Sequence, residues 1–333
     1  MDEVAPVETR SDGRGESRAG PRIAHFTDIH VTGDASRIPW VDLLSKRLLG
    51  WINLRLLGRS ALFADAEDVM RAFLEDLAAV APDHIVCTGD LTALSLPGEF
   101  EKARRMLSPL LEDPRVIGIP GNHDVYVRSA EREKLYERAF GCWTRTDLSP
   151  GDFPEDLRHL HPYPLVRFLD PGAVLIALKD VHPNPLHDSS GRVGAEQLDL
   201  LGYLLVAPRI ASRTKIIALH CGTLRAGGPR GRVPDRVLHR LKDGKKLLRI
   251  CEEAGVALII HGHTHRRFVE RAGPLTPVFM ANPGSLTSSQ HDRTYHVYAV
   301  CGGTLEIEVR RYDEARGAFA PWPDAPGAGP MRR

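Results

Sequence analysis

Short apolar runs alternate along this chain with longer amphipathic stretches. The runs read as strands at Arg22–Phe26, His84–Cys87, Val116–Ile119, Leu165–Leu169, Ala173–Leu178, Lys215–Leu219, Ala257–Ile260, Pro277–Ala281, Thr294–Val300 and Leu305–Arg311. Helical patterns over Asp65–Val80 and Gly98–Leu111 separate the first three runs. That alternation predicts parallel strands joined by right-handed crossovers. Asp170-Pro-Gly, between the fourth and fifth runs, predicts a tight antiparallel hairpin. Further helices are expected at Ala195–Val206 and Pro234–Ala254. The expected fold is α/β, with two mixed β-sheets packed as a sandwich and α-helices outside, in one domain over residues 22–312. Residues 1–21 read as a polar, disordered leader and 313–333 as a frayed Pro/Gly-rich tail.

At 333 residues the chain can bury a large core. A net charge of +1 removes any global bias toward nucleic acid, and no added nucleic-acid module is recognisable. The five cysteines show no CxxC pairing, and Cys87, Cys221 and Cys301 lie in or beside apolar runs, as reduced, buried thiols would. Met1 to Pro21 has no apolar h-region, and no run reaches membrane-spanning length, so a cytoplasmic location is expected.

Five polar clusters punctuate the scaffold: Asp28-Ile-His30, Gly89-Asp90, Gly121-Asn-His-Asp124, His220 and Gly262-His-Thr-His265. Each follows a strand candidate, His220 directly and the other four after one intervening residue. Parallel strands bring their carboxyl ends to one edge, where ligands bind in α/β proteins. Asp-x-His and His-x-His place two donors on one side of an extended segment. Taken singly these clusters are weak signals, since turns use Asp, Asn and Gly routinely. Together, Asp28, His30, Asp90, Asn122, His220, His263 and His265 exceed what one ion needs and fit two ions with one bridging carboxylate. Imidazole with carboxylate suits Mn, Fe, Zn or Co better than Mg or Ca alone.

In these motifs, spread over Arg22 to Arg311, the sequence resembles the calcineurin-like metallophosphoesterases, whose pattern is D-x-H, G-D, G-N-H-D/E, H and G-H-x-H. Asn282-Pro-Gly-Ser285 and Gly191-Arg-Val-Gly-Ala-Glu-Gln197 are also similar to recurrent turns of that family. The resemblance implies a helix-flanked β-sandwich holding two transition-metal ions, Mn, Fe or Zn. Asp28, His30, Asp90 and His265 would hold one ion; Asp90, Asn122, His220 and His263 would hold the other, with Asp90 bridging. It implies hydrolysis of phosphoesters, most readily phosphodiesters, by hydroxide generated between the ions and attacking phosphorus in line. His123 would be the general acid, titrating near neutrality and oriented by Asp124. Two departures stand out: Cys221-Gly where many relatives carry a second His or a Pro, and no acidic residue in the segment just after Asp90.

Residues 38–60 form an insert rich in Leu, Trp and Lys/Arg, which reads as a lid helix or as a peripheral contact with the inner face of a membrane. The insert also gives a loose similarity to the UDP-2,3-diacylglucosamine pyrophosphatases of lipid A synthesis, so a lipid-linked substrate stands as an alternative to a small-molecule phosphoester. The basic stretch Arg225 to Arg249 reads as a solvated surface or as a phosphate clamp. A non-catalytic metal-binding scaffold is the competing class; it would normally lack a ligand or His123, and neither is missing.

Overall fold

The computed structural model describes residues 20–33, 47, 63, 65–169, 172–185, 188–222, 240–273, 276–301 and 304–331. Among them thirteen strands form in chain order: β1 (Arg22–Phe26), β2 (His84–Cys87), β3 (Val116–Gly118), β4 (Leu165–Leu169), β5 (Ala173–Ala177), β6 (Thr214–Ala218), β7 (Leu258–Ile260), β8 (Phe268–Arg271), β9 (Phe279–Asn282), β10 (Thr294–Cys301), β11 (Thr304–Asp313), β12 (Ala318–Pro321) and β13 (Gly329–Met331). One sheet runs β12-β11-β10-β1-β2-β3, with β13 also on β11; the other runs β4-β5-β6-β7-β9-β8. β1, β2 and β3 are mutually parallel, as are β5, β6, β7 and β9, while β4 pairs antiparallel with β5 as the hairpin signal predicts.

Period-two alternation explains why the sheets stack. Ile23 on β1, Val86 on β2, Ile216 and Ala218 on β6 and Leu258 on β7 share one buried cluster between the sheets. Their strand neighbours turn outward: Ala24, Phe26 and Ile85 meet helices on one side, and Ile217 and Ile259 meet helices on the other. Strands covered on both faces read as continuous apolar runs, which is how these appear in the sequence.

The outer layer follows the amphipathic patterns. Helix α1 (Ala66–Val80) buries Val69, Met70, Phe73, Leu77 and Val80, a stripe at helical spacing. It stops at Ala81, which takes a left-handed conformation (φ 47°) directly before Pro82. Phe73 packs on Phe26, Tyr295 and Phe319 and is fully buried; truncating such a side chain costs about 3–5 kcal/mol. The helix expected over Gly98–Leu111 is two: α2 (Pro97–Met106) and a short turn at Ser108–Leu111. Pro109 cannot donate to residue 105, so one continuous helix is impossible there. Helices α3 (Ala195–Val206) and α4 (Gly244–Glu253) cover the second sheet.

Two expectations need correction. The tail does not fray: β12 and β13 pair with the two halves of the long strand β11 on the side away from β10 and form the sheet edge, and Phe319 is buried against Tyr295 and Tyr312. Pro321 and Pro330 are tolerated because edge strands need not donate every N–H. β8 was not expected either; it is a half-exposed edge strand with weak alternation. The insert at 38–60, apart from Arg47, the Asp170-Pro171 turn, and residues 223–239 of the basic stretch lie outside the described residues. No described helix is long and apolar enough to cross a membrane.

Candidate metal centre

Each motif sits where a strand gives way to a loop, and in the first, second and fifth motifs the backbone there is strained. Asp28 (φ 57°), His30 (φ 43°), Asp90 (φ 56°), His263 (φ 72°) and His265 (φ 55°) all occupy the left-handed region. L-residues adopt it at a cost of order 1–3 kcal/mol each, and such strain collects at functional sites. The turns also bring backbones very close together. A Cβ on Gly121 would collide with the Asp90 amide and carboxylate, and one on Gly262 with Thr27 and the Asp28 carboxylate.

Four donors meet in a first group. His30 Nε2 lies 2.7 Å from His265 Nε2, 3.6 Å from Asp28 Oδ1 and 3.6 Å from Asp90 Oδ2, and His265 Nε2 lies 3.3 Å from Asp28 Oδ1. A second group faces it across Asp90. His220 Nε2 lies 3.4 Å from Asp90 Oδ2 and 3.0 Å from Asn122 Oδ1, which in turn lies 2.7 Å from His263 Nδ1. All seven sequence-predicted donors therefore converge, with Asp90 between the two groups. Cys221 also lies beside His220 and His263, but its side chain belongs to the apolar core behind the site.

These side chains fit cations. Asp28 and Asp90 are fully buried, and Asp90 Oδ2 accepts no hydrogen bond although it is buried. Burial alone would raise both carboxyl pKa values, yet His265 beside Asp28 and His220 beside Asp90 hold both well below the usual range. Burial likewise disfavours charge on His220, but Asp90 and Asp28 outweigh it and lift His220 to about 10. A pocket that draws a proton onto a buried imidazole is one in which positive charge is wanted. Oxygen and imidazole nitrogen without thiolate is the donor set of first-row transition ions.

His123 is placed differently. Its N–H donates to Asp90 Oδ1 (2.7 Å), its ring meets His30 edge-on (4.8 Å between centroids), and its Nδ1 lies 2.6 Å from the Ala93 carbonyl. Asp124, expected to orient His123, does something else. Its carboxylate accepts the N–H groups of Leu91, Thr92 and Gly121 and the Thr92 hydroxyl, tying two site loops together. The ring is oriented by a backbone carbonyl instead. Nor do its surroundings give His123 a pKa near neutrality: burial lowers it to about 3, against the pull of Asp90.

Sequence reasoning missed Asp180. Fully buried, it accepts the backbone N–H of His220 (2.9 Å) and of Cys221 (2.7 Å), fixing the fourth motif. The available signal was its place just past β5, the position the other motif residues hold. Glu99 was missed too; it is nearly fully buried and binds the loop after Asp90, supplying from α2 the acidic group that segment lacks. The Asn282-Pro-Gly-Ser285 turn joins the first and fifth motifs: Ser285 Oγ donates to the Asp28 carbonyl (2.6 Å) and Asn282 Nδ2 to the Gly262 carbonyl (2.6 Å).

A family model described as calcineurin-like phosphoesterase matches residues 21–267. Among curated proteins the chain is similar to a cAMP/cGMP dual specificity phosphodiesterase of Mycobacterium tuberculosis, 27% identical over 248 residues; the match covers 73% of this chain and 61% of that protein. Among solved structures, a dimetal phosphatase from Danio rerio aligns with a TM-score of 0.60 at 12% identity, covering 90% of this chain and 98% of that one. The latter likeness shows a shared fold.

Proposed function

The chain belongs to the calcineurin-like phosphoesterase family, and from that membership and the site geometry we propose that it is a metal-dependent hydrolase of phosphodiesters. One observation carries the reading: two donor groups, Asp28/His30/His265 and Asn122/His220/His263, both reach Asp90, whose Oδ2 lies within 3.6 Å of His30 and 3.4 Å of His220. The cyclic-nucleotide activity named for the mycobacterial relative supports a diester over a monoester.

Asp28, His30, Asp90 and His265 would hold one ion, and Asp90, Asn122, His220 and His263 the other. Transition-metal ions held there supply Lewis acidity, neutralising charge on phosphoryl oxygens and lowering the pKa of a water. The protein's part is to aim donors without reorganisation, which the strained turns and the Asp180 and Ser285 hydrogen bonds accomplish. His123 holds a proton on Nδ1 for Ala93, leaving Nε2 as the ring atom that exchanges a proton with the leaving oxygen. An anionic phosphoester beside the ring favours imidazolium, opposing the effect of burial.

The test is hydrolysis of bis(p-nitrophenyl) phosphate by purified protein with added Mn²⁺, beside EDTA-treated protein and Asp90→Asn. Turnover lost in both controls is expected. Folded, metal-loaded protein that hydrolyses no diester would leave the scaffold reading in its place.

A further inference from the structure

One buried carboxylate ties the loop just before its own helix to a segment 66 residues away. Glu99, 1% exposed, accepts the N–H groups of Leu94 (2.8 Å) and Leu96 (3.1 Å) on one oxygen and that of Gly33 (3.4 Å) on the other. The Leu96 bond alone would be a helix-capping interaction, since Glu99 is the third residue of α2. The other two reach the loop after Asp90 and the segment after His30. Arg47 holds the same loop by its carbonyls, donating to those of Leu94 (3.0 Å) and Ser95 (2.6 Å). Between these clamped peptides, Ser95 is held at φ 55°.

What the clamped loop touches is His123. The Ala93 carbonyl lies 2.6 Å from His123 Nδ1. The Ser95 hydroxyl donates to the His123 carbonyl (2.6 Å) and accepts the N–H of Tyr126 (2.8 Å), whose ring stacks on the His123 imidazole with 5.0 Å between centroids and 16° between planes. The Ala93–Leu94 peptide, whose carbonyl meets Nδ1, therefore hangs from Glu99 through its N–H, and the Ser95 carbonyl from Arg47, while Asp90 and Asp124 hold the N–H groups of His123 and Thr92. We propose that Glu99 is a positioning residue for His123, acting through the Leu91–Leu96 loop and the Ala93 carbonyl. This rests on the proposed role of His123 at the leaving oxygen.

The experiment compares Glu99→Ala, Glu99→Gln (whose amide oxygen still accepts the Leu94 and Leu96 N–H groups), His123→Ala and the Glu99→Ala/His123→Ala double variant on bis(p-nitrophenyl) phosphate and on diphenyl phosphate, whose leaving group is poorer. General acid catalysis is worth about 10²–10⁴-fold, and it matters most when the leaving group is poor. Glu99→Ala should lose about tenfold more rate on diphenyl phosphate than on the activated diester, mainly in kcat, Glu99→Gln should lose less, and the double variant should be no slower than His123→Ala. An equal loss on both substrates, or additive losses in the double variant, would reduce Glu99 to a helix cap. A readout that needs no turnover separates this from the hydrolase reading. In metal-free protein the His123 Nδ1–H proton should exchange slowly with solvent, and on the order of tenfold faster in folded Glu99→Ala. An unchanged rate would overturn the proposal even if the hydrolase reading stood, and a faster rate would uphold the clamp even in a protein without turnover.

Discussion

Replacing Asp180 with alanine should separate support of the metal centre from plain stability. Its carboxylate is fully buried and is the acceptor for two backbone donors, the N–H groups of His220 and Cys221. Removing it strands both, and a buried unsatisfied N–H costs about 1–3 kcal/mol, so Asp180→Ala should lose about 2–6 kcal/mol without metal. Asp180→Asn keeps one carbonyl acceptor and should lose about half as much. A second effect should appear only with metal. Groups that fix a ligand's orientation are worth about 10–100-fold in metal affinity, and each tenfold removes about 1.4 kcal/mol of the stabilisation that a fixed concentration of free metal confers.

Urea unfolding of wild type, Asp180→Ala and Asp180→Asn, each with EDTA and with one buffered level of free Mn²⁺, measures both effects. The metal-induced gain in stability should shrink by about 1.4–2.7 kcal/mol in Asp180→Ala. If the variant is destabilised but its metal-induced gain equals that of wild type, Asp180 supports the fold only, and the argument that it aims His220 fails.

Three further outcomes are expected. Asp76→Ala removes one of two carboxylate partners of Arg310, which donates to it at 2.5 and 2.6 Å while its other terminal nitrogen stays on Glu308 at 2.6 Å; the half-stranded guanidinium should cost about 1–3 kcal/mol by thermal or urea unfolding, and no measurable loss would contradict the pairing. Burial pushes the Glu99 carboxyl from 4.5 up to about 7 despite its N–H donors. The folded state therefore binds more protons than the unfolded state in that range. Stability should fall by about 3 kcal/mol as pH rises from 4.5 to 7 and level off above it, a slope that Glu99→Gln should flatten in unfolding midpoints measured across that range. Gly121→Ala should force the Asp90 loop away and weaken Mn²⁺ binding by about tenfold or more in equilibrium dialysis; unaltered binding would show that the loops can part at no cost.

What could be read from the chain, and what could not, divides along one physical line. Asp28, His30, Asp90, Asn122, His220, His263 and His265 were legible because each is a side chain whose chemistry suits a cation and each follows an apolar run. Parallel pairing of β1, β2 and β3, and of β5, β6 and β7, then gathers the ends of those runs. The sandwich was legible for the same reason, since runs apolar on both faces must be covered twice. Asp180 follows β5 by the same rule, but a lone Asp has no motif partner to raise it above a turn residue. Glu99 falls on a helix whose acidic residues read as a solvated face. The tail's strands pair with β11 through backbone groups, which no residue type announces. His123 shows the limit most sharply: its identity suggested an acid and the neighbouring Asp124 suggested its partner, yet the atom that orients it is the carbonyl of Ala93. Any residue supplies a carbonyl, so its direction depends on the loop, and the loop on Glu99, Arg47 and the left-handed turn at Ser95. The proton transfer proposed for Nε2 would thus depend on contacts that sequence motifs, which mark side chains alone, do not record.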